Sequence, residues 1–209
     1  MVKSSIFVFL LLASCDCSGA LRGSLSDEAE DHMVATVGVE VECISKEGIE
    51  GWIGSGFVVS RNEIITANHV VDCGTGDVWS LGVKDVDGNR YEGWVAGVDT
   101  AHDTALVRLT GTQQPFTRRS TLGDDPDVGD MVCAATYFPE RLYHCGLVQP
   151  NTFGRIMVTQ RVIPGNSGSA WYDGNSRVVG IVTQYGTCGV GTECYGYGWP
   201  VSTWRGLMD

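Results

Sequence analysis

Short strand-like runs, recurring about every ten positions with turns between them, confine this chain to an all-β architecture. The clearest run is 35–43, where Val37, Val39, Val41 and Cys43 fall on one side and Thr36, Gly38, Glu40 and Glu42 on the other. A period of two over that length is a strand with one buried face. Further strand-like runs follow at 52–59, 63–67, 78–83, 90–98 and 104–109, then at 131–137, 145–149, 155–160, 169–172, 177–184 and 196–201. The 28 glycines supply corners for so many short strands. No long amphipathic helix is visible, and only 202–208 reads as a short terminal one with Ser202 as its N-cap.

The rhythm breaks once, over 110–130, where Pro115, Arg118, Arg119, Gly123, Pro126 and Gly129 suit a connection crossing the surface. This break divides the strands about evenly. Two six-stranded antiparallel barrels, 33–118 and 119–209, are therefore expected, although the halves share no visible repeat.

The start of the chain is read separately. Lys3 precedes an apolar run at 6–13 that is too short to span a bilayer, so 1–14 is expected to be a signal peptide. Leu12, Ala13, Ser14 and Cys15 resemble a bacterial lipobox, which implies lipid on Cys15 and a membrane tether; small residues at 18–20 offer an ordinary cleavage site instead. Polar, acidic residues 15–32 are expected to form a tether. Either reading exports the protein, to the periplasm, the cell surface or the medium. The 8 cysteines agree with export, having no CxxC spacing and no interleaved histidines, so disulfides are expected rather than a metal. Proximity along the chain favours Cys133 with Cys145 and Cys188 with Cys194, leaving Cys43 with Cys73. A net charge of −11 argues against a nucleic-acid partner, whose phosphates need clustered Lys and Arg. Nothing in the sequence fixes an oligomeric state.

Three segments carry reactive residue types. Residues 165–170 read GNSGSA, in which Gly165 and Gly168 allow a sharp turn that holds Ser167 forward. Residues 64–71 read IITANHVV and put His69 just past an apolar strand, while 102–109 read HDTALVRL and put Asp103 where a loop enters one. Taken singly, each has a plain structural reading: a solvent turn, a buried histidine, a turn-capping aspartate. Together they supply a nucleophile, a base and a group to orient that base. His69 and Asp103 fall in the first half and Ser167 in the second, so a crevice between two barrels would bring them together.

Their flanks resemble the chymotrypsin-fold serine proteases, HtrA-type and glutamyl-endopeptidase-like ones most closely. GSGFVVS at 54–60 with TANHVV at 66–71 is similar to the histidine region, HDTALVRL to the aspartate strand and GNSGSA to the nucleophile loop. LGDDPDVGDMVCAA at 122–135 resembles the entry to the second barrel, and VVGIVTQYG at 178–186 with GYGWPV at 196–201 the strands beside the specificity pocket. The resemblance covers about 33–209, and the PDZ domain that HtrA-type proteases usually carry is not expected. It implies two six-stranded Greek-key barrels of chymotrypsin-like fold with a short C-terminal helix, and a serine endopeptidase that needs no cofactor and acts on polypeptides. It also implies His69, Asp103 and Ser167 as catalytic triad, the N–H groups of Gly165 and Ser167 as oxyanion hole, and substrate held along Thr183, Gln184 and Tyr185. Arg161, Val162, Gly196 and Gly198 are expected to line the specificity pocket, with the two glycines leaving its wall open. An uncharged or apolar residue before the scissile bond is expected, an acidic one second.

Two departures stand out. Asn166 replaces the Asp that pairs with a freed N-terminus in trypsin-like zymogens, so activation by that insertion is not expected. Ser169 replaces the second glycine of the commoner GNSGG, as in glutamyl endopeptidases. His102 is read as a surface residue, and His32 and His144 have no supporting motif. The rival readings are a catalytically silent binding module on the same fold and an esterase using the same triad.

Overall fold

The first alternating run is strand β1 (Thr36–Ser45) in a computed structural model that describes residues 27–111, 115–151, 153–186 and 194–208. β1 turns tightly into β2 (Gly48–Val58) and also pairs antiparallel with β4 (Asp77–Lys84). With β3 (Glu63–Ala67), β5 (Arg90–Asp99) and β6 (Thr104–Leu109), these strands close a barrel in the order β1-β2-β3-β6-β5-β4. Its interior holds Val37, Val39 and Val41 against Ile64, Val83 and Val107. Full burial of such a side chain contributes about 1.5–3 kcal/mol, against a spread of about 1 kcal/mol for β propensity, so burial fixes the register.

The second half forms a ring of β8 (Met131–Thr136), β9 (Leu142–Gln149), β10 (Ile156–Val158), β13 (Gly196–Pro200), β12 (Arg177–Tyr185) and β11 (Ala170–Tyr172), closed by pairing of β11 with both β8 and β12. The pairings within both rings are antiparallel. The fold is therefore all-β with two closed six-stranded barrels, as expected. One addition lies in the connection between them: β7 (Thr121–Leu122) pairs parallel with β12.

The barrels meet along a shared apolar layer. Phe57, Ile65 and Leu106 come from the first barrel, and Ala135, Ala170, Tyr172, Val178 and Ile181 from the second. A short C-terminal helix, Val201–Trp204, runs into a 3-10 turn at Arg205–Met208 and plugs the layer with Trp204, edge-on to Phe57 at 5.9 Å between centroids. Ser202 is not its N-cap, because that place falls to Pro200 without a side-chain hydrogen bond. Instead the Ser202 amide and hydroxyl both donate to Asp125, at 2.9 and 2.5 Å.

A further correction concerns the expected tether. Helix α1 (Asp27–Val34) occupies its last residues, with Ala29, His32 and Met33 buried and the His32 ring stacked on Tyr172 at 3.9 Å. Ala29 and Met33 stand one helical turn apart, giving an otherwise acidic segment an apolar stripe to bury. The signal peptide, Cys15 and the rest of the tether lie outside the described residues. Among the described residues no helix is long and apolar enough to cross a membrane.

Two expected disulfides are present. Cys43–Cys73 joins the end of β1 to the loop after His69, and Cys133–Cys145 bridges directly opposed positions of β8 and β9. Cys194 is also disulfide-bonded. The expected Cys188–Cys194 pair lies outside the described residues because Cys188 does.

Candidate active site

At the end of β3 the chain turns at once into a single helical turn, α2 (Asn68–Val71). Val70 and Val71 are buried in the barrel core, and this leaves His69 on the outer side with its side chain about half exposed. After β5 a turn delivers Asp103 at φ 48, a left-handed conformation that Asp adopts more readily than most residues. From that position Asp103 holds the histidine segment at three points. Its carbonyl accepts the Asn68 N–H at 3.0 Å, Oδ1 accepts the His69 backbone N–H at 2.9 Å, and Oδ2 lies 2.7 Å from His69 Nδ1. A carboxylate acceptor there places the ring proton on Nδ1 and leaves a lone pair on Nε2.

The second barrel supplies residues 163–169. Gly165 and Gly168 have φ of 97° and 89°, conformations that a side chain would strain. The Gly168 position is also closed by space, since a Cβ there would stand 2.0 Å from the Ser55 carbonyl. The loop is bound to the first barrel by Ser55, whose N–H donates to the Ser167 carbonyl at 2.9 Å and whose Oγ donates to the Gly165 carbonyl at 2.8 Å. Gly54 completes the join: a Cβ on it would meet Val70 at 2.6 Å and the Ser167 carbonyl at 3.2 Å. The segment bearing His69 and the one bearing Ser167 thus flank a single glycine. Among the described residues no hydrogen bond joins Ser167 Oγ to His69.

Within the loop, the N–H groups of Asn166, Gly168 and Ser169 donate to carbonyls. Those of Gly165 and Ser167 donate to none among the described residues. Asn166 is 1% exposed, and both ends of its amide are hydrogen-bonded, with Nδ2 donating to the Phe138 carbonyl at 2.9 Å and Oδ1 accepting the Ile163 N–H at 3.0 Å. A neutral amide satisfies that site without a charged terminus, consistent with the departure at this position.

The expected specificity residues divide. Val162 is buried, with its side chain in the space that a Gly196 side chain would take, 2.5 Å from an ideal Cβ. A Cβ at Gly198 would stand 1.7 Å from the Ile181 carbonyl. A side chain at either glycine would therefore meet neighbouring protein. Arg161 is exposed, Thr183 is buried, and Gln184 and Tyr185 are exposed at the end of β12, where the Gln184 side chain accepts from Arg155 at 2.9 Å.

His102, read as a surface residue, is partly exposed and has partners. Its Nδ1 lies 2.6 Å from Asp99 Oδ2 and its ring meets Trp199 edge-on at 4.8 Å. Burial alone would raise the Asp99 carboxyl, but hydrogen bonds and charge from His102, with further backbone donors, hold it below its usual range. Sequence reasoning missed Ser55 as a part of the site. The GSG motif held it, yet nothing in the local pattern shows where its hydroxyl points.

A family model described as trypsin-like peptidase domain matches residues 54–181, which carry all three reactive positions. Three curated relatives share the description probable periplasmic serine endoprotease DegP-like. That of Pseudomonas fulva (strain 12-X) is 26% identical over 170 residues, covering 75% of this chain and 34% of the relative. That of Pseudomonas putida (strain W619) is 31% identical over 145 residues, covering 63% and 29%. That of Halomonas elongata is 29% identical over 171 residues, covering 75% and 34%. The chain spans about a third of the length of these relatives.

Proposed function

The chain belongs to the trypsin-like peptidase domain family, and from that premise we propose that it is an exported serine endopeptidase working through His69, Asp103 and Ser167. Ser167 Oγ attacks the peptide carbonyl carbon while His69 Nε2 takes its proton. The N–H groups of Gly165 and Ser167 donate to the resulting oxyanion, at about 3–4 kcal/mol of transition-state stabilisation for a donor of this kind. Collapse of the tetrahedral intermediate expels the amine, which leaves with the proton from His69. Water, activated by the same imidazole, then releases the acyl group from Ser167. Asp103, as a carboxylate, keeps Nδ1 protonated and stabilises the imidazolium.

The observation that carries this reading is the pair of amides at Gly165 and Ser167 that donate to nothing among the described residues, in a loop whose other amides are bonded, docked beside an Asp103–His69 pair at 2.7 Å. A silent binding module has no use for that combination. Substrate is taken as an extended strand along Thr183, Gln184 and Tyr185, which favours peptides over small esters. Val162, filling the space beside Gly196, favours a small uncharged residue before the scissile bond over an acidic one drawn to Arg161. Export is supported by the disulfides and by the periplasmic description of the relatives. Residues 1–14 act as the signal peptide and Cys15 carries lipid, which a diacylglyceryl mass on the mature N-terminus would establish and a free amine at a later residue would refute.

Cleavage-site profiling on a peptide library tests the proposal. Cuts after small uncharged residues by the wild type, and none by Ser167→Ala, support it. A folded wild type that cuts nothing favours the binding module.

A further inference from the structure

Ser55 is fully buried on β2, and its backbone and side-chain polar groups all reach across to other elements. Its N–H donates to the Ser167 carbonyl at 2.9 Å, and its carbonyl accepts the Thr66 hydroxyl at 2.7 Å, three residues before His69. Its Oγ donates to the Gly165 carbonyl at 2.8 Å and accepts the Tyr137 N–H at 3.1 Å. One buried hydroxyl thus gives a partner to a carbonyl on one segment and to an N–H on another, tying both to a barrel strand.

We propose that Ser55 is a positioning residue whose hydroxyl latches the Gly165–Asn166 peptide, the unit lying between the two peptides that carry the Gly165 and Ser167 N–H groups, and so keeps both donors aimed at the oxyanion. The inference rests on the assignment of those amides as oxyanion donors. Gly165 has no side chain to limit rotation of its flanking peptides, and its φ of 97° is one of several conformations open to glycine. Three contacts oppose rotation. The Ser55 hydroxyl holds the Gly165 carbonyl, the Phe138 ring lies 2.4 Å from where a Gly165 Cβ would be, and Asn166 Nδ2 binds the Phe138 carbonyl. Of the three, the first ties the loop to the barrel that carries His69, adding to the Ser55 N–H bond to the Ser167 carbonyl. The same hydroxyl accepts from Tyr137, so the 137–138 segment and the loop are fastened to one oxygen. Donors help catalysis in proportion to how well they are fixed before the charge develops.

The test compares wild type with Ser55→Ala and Ser55→Cys on a peptide substrate, with rates normalised to sites titrated by a peptidyl phosphonate. Removing an oxyanion donor outright costs about 100–1,000-fold in kcat. Loosening one is expected to cost about 10–100-fold in kcat for Ser55→Ala, with KM within about threefold and the acid limb of the pH–rate profile unmoved. Ser55→Cys keeps a weak donor in nearly the same volume and is expected to recover part of the loss; it also serves if the alanine variant does not fold. A peptide boronate, whose adduct places an oxygen at the oxyanion position, is expected to bind Ser55→Ala more weakly by a similar factor. The inference is overturned if both folded variants keep wild-type kcat per titrated site, or if only the titratable fraction or Tm falls. A wild type that neither turns over nor reacts with the phosphonate overturns the assignment of function itself, and is thereby distinguishable.

Discussion

The carboxylate of Asp103 engages both ends of His69, with Oδ1 accepting the backbone N–H at 2.9 Å and Oδ2 meeting ring Nδ1 at 2.7 Å. Because one oxygen fixes the backbone while the other fixes the ring, the contact sets the imidazole position and tautomer together. Asp103→Asn keeps an acceptor for only one of these partners and turns an N–H toward Nδ1, favouring the wrong tautomer. It is expected to lower kcat by about 10,000-fold, the scale known for this change in a Ser-His-Asp protease, with little change in secondary structure. Steady-state kinetics beside a circular dichroism spectrum of the variant check this.

The Ser169 hydroxyl is fully buried and has no hydrogen-bond partner among the described residues. An unsatisfied buried polar atom costs about 1–3 kcal/mol, so Ser169→Ala is expected to stabilise the protein by about 1 kcal/mol. Denaturant unfolding at neutral pH measures it; a destabilised variant would show that the hydroxyl has a partner in solution.

Burial pushes the His144 imidazole down from 6.5 to about 4. Between these values the unfolded chain binds a proton that the folded chain does not. Stability is therefore fully present above about pH 6.5 and declines as pH falls toward 4, by up to about 3 kcal/mol. His144→Gln is expected to remove most of that slope, read from unfolding free energies across the window.

The Cys43–Cys73 bridge closes a loop with a sequence separation of 30 residues that contains the His69 turn. Loop-closure entropy assigns such a bridge about 3–4 kcal/mol. The double variant Cys43→Ser, Cys73→Ser is expected to lose stability on that scale, seen as a drop in Tm. It is also expected to lose activity near its new Tm before the rest of the fold unfolds, since the bridge anchors the segment just beyond the base.

Most of the strands were legible in the sequence as short runs of β-forming residues between turns, alternating where one face is exposed and continuously apolar where both are covered; 63–67 and 104–109, buried along nearly their whole length, match to the residue. α1 was missed because its apolar stripe is only Ala29 and Met33 in an acidic stretch, and β7 because two residues carry no period. Candidate site residues were readable from their order and flanks. What surrounds them was not. The partners of Ser55 Oγ lie 110 and 82 residues away in sequence, and Val162 fills space beside Gly196 from another segment. Such contacts depend on how two barrels dock, which no local pattern encodes.

Reaction with a peptidyl phosphonate, followed by peptide mapping in a mass spectrometer, tests most directly whether Ser167 is a nucleophile activated by His69. One adduct per chain is expected, on Ser167, absent from Ser167→Ala and formed at least about 100-fold more slowly in His69→Ala. An adduct on another residue, or none on the folded wild type, would contradict the assignment.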